Sequence, residues 1–326
     1  MSVSAEQIPR GPLLAGREKL SDRIGDPLLR ALTGLAALVG VGVLVWIAYT
    51  LFDHASPAIS RFGLGFIGTS AWDPVHLHFG AADFIFGTIV SSFLALLVAA
   101  PMSIAIAVFL TELAPRVARR PTQILVELLA AIPSVILGLW GIIVLGPVLS
   151  NHIEPALHSV LGWIPLFSGT PSPYGMLSAA IILTIMTVPI VTSITREIFE
   201  TTPSEFKEGA YALGATRWEM VRMVVLPYAG PGVVGAVILG LGRALGEAIA
   251  VTQVIGNTAG IHASLFQPSG TLAAQIASEY QGATTNLQIA SLVYLAAILL
   301  VITLIANVMA RLIVRRVSAG RAQWAR

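Results

Sequence analysis

The sequence contains no cysteine and few charged residues, which make up 11% of its 326 positions. The absence of cysteine excludes disulfides, thiolate chemistry and cysteine-based metal sites. Lys and Arg number 19 against 17 Asp and Glu, and the net charge of +2 is too small to indicate a nucleic-acid partner. No G-x-x-x-x-G-K-[ST] loop occurs, so the chain cannot hold ATP through that motif.

Apolar residues are abundant, at 56% of the sequence with a mean hydropathy of +0.83. This composition lies outside the range of soluble globular domains and predicts an all-α protein that crosses a membrane several times. Runs of about 20 apolar residues match the roughly 30 Å hydrocarbon core of a bilayer. Six such runs predict transmembrane helices at 30–52, 83–112, 122–149, 175–197, 230–255 and 287–314.

The positions of the basic residues predict the orientation of these spans. Basic residues lie before the first span, after the last, and in the loops at 113–121 and 198–229, whereas the three alternate loops contain only Arg61. By the positive-inside rule, both termini and these two loops face the cytoplasm. We expect the first span to be a retained anchor. The predicted divisions are a cytoplasmic tail at 1–29, a transmembrane domain at 30–314 and a second cytoplasmic tail at 315–326.

The longest cytoplasmic loop, at 201–227, carries start and stop signals for a short helix. Thr202, with Glu205 three residues later, predicts a capping box, and Pro203 suits the first helical position. Gly214 can adopt the left-handed conformation that ends a helix.

A second short helix is predicted to follow at once. Thr216 and Glu219 repeat the capping signature, and Pro227 is expected to end the unit. On spacing alone, the unit is either an interfacial hairpin that connects two spans or a docking element for a cytoplasmic partner.

This loop resembles the EAA loop of binding-protein-dependent ABC importer permeases, whose pattern is Glu-Ala-Ala, three residues, Gly, nine residues and Ile-x-Leu-Pro. Gly209 replaces the first Ala and Val224 replaces Ile, which leaves the spacing intact. The resemblance implies a permease of the type I, MetI-like fold whose loop docks as a coupling helix into an ATPase subunit, with no catalytic activity or cofactor of its own. The matching positions are Glu208, Gly209, Ala210, Gly214, Val224, Leu226 and Pro227.

Arg243 lies near the centre of the predicted fifth span, about 13 residues or 20 Å from either end. A central Arg costs at least about 2.5 kcal/mol on insertion scales, so it is expected to face protein or water. Glu247 follows four residues later on the same helical face. The pair is either a buried ion pair that fixes helix packing or an anion contact in a transport path. Gly242 and Gly246 form a small-residue face that lets another helix approach closely.

Three stretches resemble the PstC-type permeases of phosphate-specific ABC transporters. They are FLTELAP at 109–115, ELLAAIPSVILGLWG at 127–141 and RALGEAIAVTQVIGN at 243–257. The resemblance implies a bacterial plasma membrane protein that pairs with a PstA-type permease and works with two PstB-type ATPase subunits and an outer PstS-type phosphate-binding protein. It also implies a phosphate path at the interface of the two permeases, with Arg243 and Glu247 as the translocation pair.

Weaker pathway candidates are two hydroxyls beside prolines. Ser134 follows Pro133, and Thr187 precedes Pro189 by two residues. Hydroxyls in membrane helices more often bond to the backbone or to a neighbouring helix, so a structural role is the alternative. Both prolines are expected to kink their helices.

The predicted outer loops contain all six histidines and several acidic residues. His76 and His78 lack a third ligand, so no metal site is predicted. Asp83 and Glu154 are expected to meet water or a binding protein.

Three other functions stay open. Import of sulfate or molybdate is possible because an EAA loop does not name its substrate. An ATP-independent anion channel or carrier would need no docking element for an ATPase. A membrane-embedded phosphate-transfer enzyme is disfavoured, because no group of His, Ser and Asp assembles a nucleophile with a base.

Overall fold

The computed structural model describes residues 20–322, with side chains at 27–313. The predicted tails at 1–29 and 315–326 lie partly outside the described residues. The described helices are α1 Leu20–Phe62, α2 Gly65–Gly68, α3 Ala82–Val108, α4 Arg116–Ala131, α5 Ser134–Trp140, α6 Gly146–Val148, α7 Glu154–Leu161, α8 Met176–Glu200, α9 Ser204–Ala212, α10 Arg217–Met220, α11 Leu226–Gly246, α12 Ile249–Val254, α13 Leu272–Glu279 and α14 Asn286–Ala322. Strands β1 Trp72–Asp73 and β2 His78–Phe79 form an antiparallel hairpin between α2 and α3.

The chain packs as two units, Met1–Thr50 and Leu51–Arg326. In the first unit, apolar side chains of α1 such as Leu38, Leu44 and Trp46 are exposed, as expected for a helix that faces lipid. In the second unit, the buried residues form three apolar clusters. One of them, here named the coupling cluster, consists of Ala107, Val108, Phe199, Met220, Val221, Val225, Ala229 and Val233.

Six helical segments of the described chain are long and apolar enough to cross a membrane, which confirms the predicted all-α fold and the number of spans. The first span is longer than predicted because α1 continues to Phe62, so His54 lies within a helix and not in an outer loop. The six segments are Pro27–Phe62, Ala82–Leu113, Ser134–Leu161, Met176–Glu200, Arg217–Gly246 and Asn286–Ile313.

The predicted third span at 122–149 is wrong. The chain forms a separate helix, α4, in which no described residue is buried, and the span begins only at Ser134. Pro133 causes the break: a residue before proline is driven out of the helical region, and Ile132 is extended at ψ 124°. Pro133 therefore ends a helix, whereas Pro189 lies inside the uninterrupted α8.

Helices α3 and α8 form the central packing pair of the second unit. Hydroxyl groups join them across the interface, since Ser103 Oγ donates to Val188 O at 3.1 Å and Thr184 Oγ1 donates to Ala95 O at 3.3 Å. Such bonds fix the register of two membrane helices without a charged group.

Four π turns widen the described helices, and each ends two residues before a proline. In each turn, the residue before the proline donates its N–H to the carbonyl five residues earlier, as Leu226 does to Val221. Where the helix continues through the proline, the proline ring would clash with the carbonyl four residues back, and the wider turn gives that carbonyl room. After Phe109–Leu113 the helix ends instead, because Ala114 is extended at ψ 130°. The turns are Phe109–Leu113, Gly141–Leu145, Leu149–Ile153 and Val221–Val225.

Two acidic side chains predicted to be solvated are buried. Asp83 is 2% exposed in the first turn of α3, and Glu154 is fully buried at the start of α7. Glu154 Oε2 accepts a hydrogen bond from the Ser172 N–H at 2.7 Å. The expectation of contact with water or a binding protein is therefore wrong for both, because burial depends on tertiary packing that their positions in the sequence do not reveal.

Candidate functional site

The loop at 201–227, predicted to face the cytoplasm, contains the predicted helix and glycine bend. Helix α9 ends at Ala212, and Gly214 follows with a φ of +84°, in the left-handed region that glycine adopts without strain. Ala215 N–H donates to Ala210 O at 3.1 Å and closes the end of the helix. The predicted stop signal at Gly214 is confirmed.

The first predicted capping box is wrong. Pro203 is the N-cap residue of α9, and no side chain caps that helix. The Thr202 N–H donates to Phe199 O at 3.2 Å, so Thr202 belongs to the turn that ends α8. Its hydroxyl is buried and has no hydrogen-bond partner.

The second predicted capping box is confirmed. Thr216 Oγ1 accepts from the Glu219 N–H at 3.3 Å, and the Glu219 carboxylate accepts from the Thr216 N–H at 2.8 Å. The helix that starts here does not end at Pro227. It continues through the π turn Val221–Val225 into α11, because that turn accommodates the proline.

Residues of the EAA-like motif divide between the surface and the interior. Glu208 and Gly209 are exposed, whereas Ala210 and Leu226 are partly buried against the coupling cluster. Pro227 is half-buried. The motif therefore anchors the loop with its small and apolar members and presents the glutamate outward.

An open groove of about 1080 Å³ runs between α9 and the start of α11. Large apolar side chains stand exposed along this surface: Phe206 at 55%, Leu213 at 91% and Met223 at 60%. An exposed apolar patch of this kind is typical of a protein contact. The groove is lined by Glu205, Phe206, Gly209, Ala210, Leu213, Gly214, Ala215, Glu219, Met223, Val224, Pro227 and Tyr228.

Arg243 lies in the last turn of α11 and not at the centre of a span. The prediction of a helix at 230–255 is wrong because Glu247 is extended at ψ 116°, which ends α11 before the short α12 begins. Gly240 packs on Val191 and Thr187, near the middle of α8. Helix α11 continues past this point to Gly246, and its Ala244 belongs to the same apolar cluster as Ile182 and Leu183 of α8.

The charge pair has the predicted sequence spacing but not a tight contact. Arg243 Nη2 lies 3.9 Å from Glu247 Oε2, beyond hydrogen-bond distance, and the two side chains are 43% and 10% exposed. Glu247 Oε1 instead accepts from the Ala250 N–H at 3.4 Å, at the start of α12. The Arg243 guanidinium is therefore accessible, whereas the Glu247 carboxylate accepts a backbone hydrogen bond at the start of α12.

Arg243 shares an open face of α11 with small residues. A side chain added at Gly235, Gly242 or Gly246 would meet nothing within 4 Å. Leu239, on the same face, is 58% exposed. The small-residue face predicted from Gly242 and Gly246 is thus without a partner in the described chain.

The hydroxyl candidates do not join Arg243 at an open surface. Thr187 is fully buried, its methyl group faces Gly240, and its hydroxyl has no hydrogen-bond partner. Ser134 is half-buried in the first turn of α5, a helix whose Gly138 rests against Ala250 of α12. A pathway role for either hydroxyl stays a prediction.

The hairpin of β1 and β2 contains a local acid–histidine contact. Asp73 Oδ2 lies 2.6 Å from His76 Nδ1, and this hydrogen bond lowers the pKa of Asp73 below its usual 3.8. Within the described residues, no group of three or more His, Asp or Glu side chains is arranged to hold a metal ion.

Residues 103–319 match the family model of the binding-protein-dependent transport system inner membrane component. The chain is 46% identical over 298 residues to the phosphate transport system permease protein PstC of Mesorhizobium japonicum, covering 90% of this chain and 91% of that protein. It is 43% identical over 295 residues to PstC of Haemophilus influenzae, covering 89% and 93%.

Solved structures share the fold. One is a bacterial alginate ABC transporter in complex with an alginate pentasaccharide-bound periplasmic protein, with a TM-score of 0.56 at 20% identity over 90% of this chain and 98% of that chain. Another is the inward-facing MetNI methionine ABC transporter, with a TM-score of 0.50 at 21% identity over 73% and 94%. The predicted ABC permease fold is confirmed.

Proposed function

This chain belongs to the family of binding-protein-dependent transport system inner membrane components, and from that membership we propose that it is a permease subunit of an importer of inorganic phosphate. Its place is the bacterial plasma membrane, with both termini in the cytoplasm. The phosphate assignment draws on the relatives named PstC, which are 46% and 43% identical to this chain.

The observation that carries the importer function is the exposed surface of α9. A short helix followed by a glycine bend presents Glu208, Phe206 and Leu213 outward beside an apolar groove. Such a surface suits helix-in-groove docking to an ATPase subunit. It favours an ATP-driven importer over an ATP-independent channel or carrier, which needs no such element. Two PstB-type ATPases are the proposed partners.

The proposed phosphate path follows the open face of α11. A discontinuous helix at membrane depth is tolerated where it is buried in protein or lines a water-filled cavity. Arg243 stands at this discontinuity, and its guanidinium can donate two parallel hydrogen bonds to phosphate oxygens. A PstA-type permease would cover the glycine face and complete the path, and a PstS-type binding protein would deliver phosphate from outside.

ATP-driven uptake of labelled phosphate by vesicles that hold the assembled complex tests this proposal. We expect Arg243→Gln to lower uptake by about tenfold or more, because a hydrogen bond to a charged group contributes about 1.5–3 kcal/mol. Arg311→Gln, at an exposed arginine of α14, is the matched control and is expected to keep native uptake.

Assembly and ATP hydrolysis must be measured in the same samples. Full phosphate uptake by an assembled Arg243→Gln complex would contradict the pathway role. Uptake of sulfate or molybdate in place of phosphate would overturn the substrate while leaving the importer intact.

A further inference from the structure

We propose that the ion pair between Glu112 and Lys207 is a positioning link that transmits movement of α9 to α3. This inference rests on the proposed function, in which an ATPase moves α9. Neither residue touches the substrate, so their role is to couple ATP hydrolysis to the movement of the spans.

The two charged groups meet across a long stretch of sequence. Lys207 Nζ lies 2.6 Å from Glu112 Oε1, and the two residues are 95 positions apart. Their side chains are 21% and 9% exposed, so the contact is largely shielded from water. A shielded pair keeps its geometry better than a solvated one, and removal of one partner leaves an uncompensated charge.

Lys207 lies on the inner face of α9. It and Ala210, one helical turn later, are the partly buried residues of this helix, whereas Glu205, Phe206 and Glu208 are exposed. Ala210 packs against the coupling cluster through a single methyl group. The ion pair therefore supplies the strong directional contact between α9 and the structure beneath it.

Glu112 belongs to the π turn that ends α3, and this turn is also held from α4. The Arg119 guanidinium donates to the carbonyls of Leu110 and Thr111, the two residues before Glu112. The end of α3 is thus fixed by one side chain from α4 and one from α9.

Movement at Glu112 has a continuous route into the spans. Helix α3 packs along α8, and Ser103 and Thr184 bond across that interface. A push or pull on Lys207 would therefore reach a packed pair of transmembrane helices and not a mobile loop.

Uptake per ATP hydrolysed by the reconstituted complex tests the link. The variants are Lys207→Met, Glu112→Gln and the exchange Glu112→Lys with Lys207→Glu. We expect each single variant to assemble and hydrolyse ATP while uptake per ATP falls about fivefold or more, the lower end of coupling between two sites. The exchange is expected to restore most of the ratio, because it re-forms the pair with reversed charges.

Glu208→Gln is the matched contrast, one residue along α9 but on its outer face. It is expected to weaken ATPase binding and to lower hydrolysis and uptake together, with uptake per ATP unchanged. A parallel loss of both activities in Lys207→Met and Glu112→Gln would overturn the link and leave the pair a stabilising contact. Failure of the exchange to restore the ratio would likewise overturn it.

Amide hydrogen exchange separates this inference from the substrate assignment. In the native complex, trapping with a non-hydrolysable ATP analogue is expected to change protection at both α9 and the end of α3. In Lys207→Met, the change at α9 is expected to persist and the change at 105–113 to disappear. An unaltered change at 105–113 would contradict the link. A native complex that imports no phosphate would contradict only the proposed function.

Discussion

Gly240 and Gly242 stand two positions apart on α11 in opposite surroundings. A Cβ on Gly240 would lie 2.6 Å from Val191 Cγ2 and 2.9 Å from Thr187 Cγ2. Both neighbours are β-branched and stiff, so they cannot turn away cheaply. A Cβ on Gly242 would meet nothing within 4 Å.

We therefore expect Gly240→Ala to destabilise the chain by about 1–3 kcal/mol through overpacking. Gly242→Ala is expected to keep or raise stability by up to about 1 kcal/mol, because alanine restricts the unfolded chain. Thermal unfolding of each purified variant in detergent measures the difference. Equal midpoints for the two variants would contradict the close approach of α8 and α11 at Gly240.

The two helix starts of the loop at 201–227 offer a similar matched pair. The Thr216 hydroxyl caps its helix, whereas the Thr202 hydroxyl is buried without a partner. We expect Thr216→Ala to cost about 0.5–2 kcal/mol through loss of the cap. Thr202→Val is expected to be neutral or stabilising, because it replaces an unsatisfied buried hydroxyl with a methyl group of similar size.

Denaturant unfolding of the two variants measures these changes in stability. A loss in Thr202→Val as large as that in Thr216→Ala would show that Thr202 also caps a helix.

The number of spans follows from hydrophobic runs, but their limits do not. Hydropathy runs through Pro133 and through Glu247, whereas the backbone becomes extended at both places and ends a helix. Proline marks the first break in the sequence. The break at Glu247 has no proline, and the sequence alone gives no signal for it.

The loop at 201–227 was predictable where the signal is local. Gly214 and the Thr216–Glu219 box depend on residues within one turn, and the structure contains both. The Thr202 box fails because Thr202 belongs to the turn that ends α8. The contact between Glu112 and Lys207 depends on tertiary packing, and no local pattern could have paired them.

The orientation of the whole molecule can be tested directly because the chain has no cysteine. We expect Ser204→Cys, at the start of α9, to react with a membrane-impermeant maleimide only after cells are permeabilised. Thr170→Cys, in the loop before α8, is expected to react in intact cells. Both positions are exposed, so accessibility in the fold is matched. The reverse pattern would overturn the positive-inside assignment.

The π turns have a consequence for the length of related chains. A widened turn holds one residue more than the α-helix it interrupts, so it is the structural record of a one-residue insertion. Where a related permease lacks the proline that follows Val221–Val225, the helix no longer needs the wide turn. It can then lose the extra residue of that turn without a change in the register of α11. Differences of one residue in aligned lengths are therefore expected at the three turns that continue into a helix, Gly141–Leu145, Leu149–Ile153 and Val221–Val225, and loss of the proline should accompany loss of the extra residue.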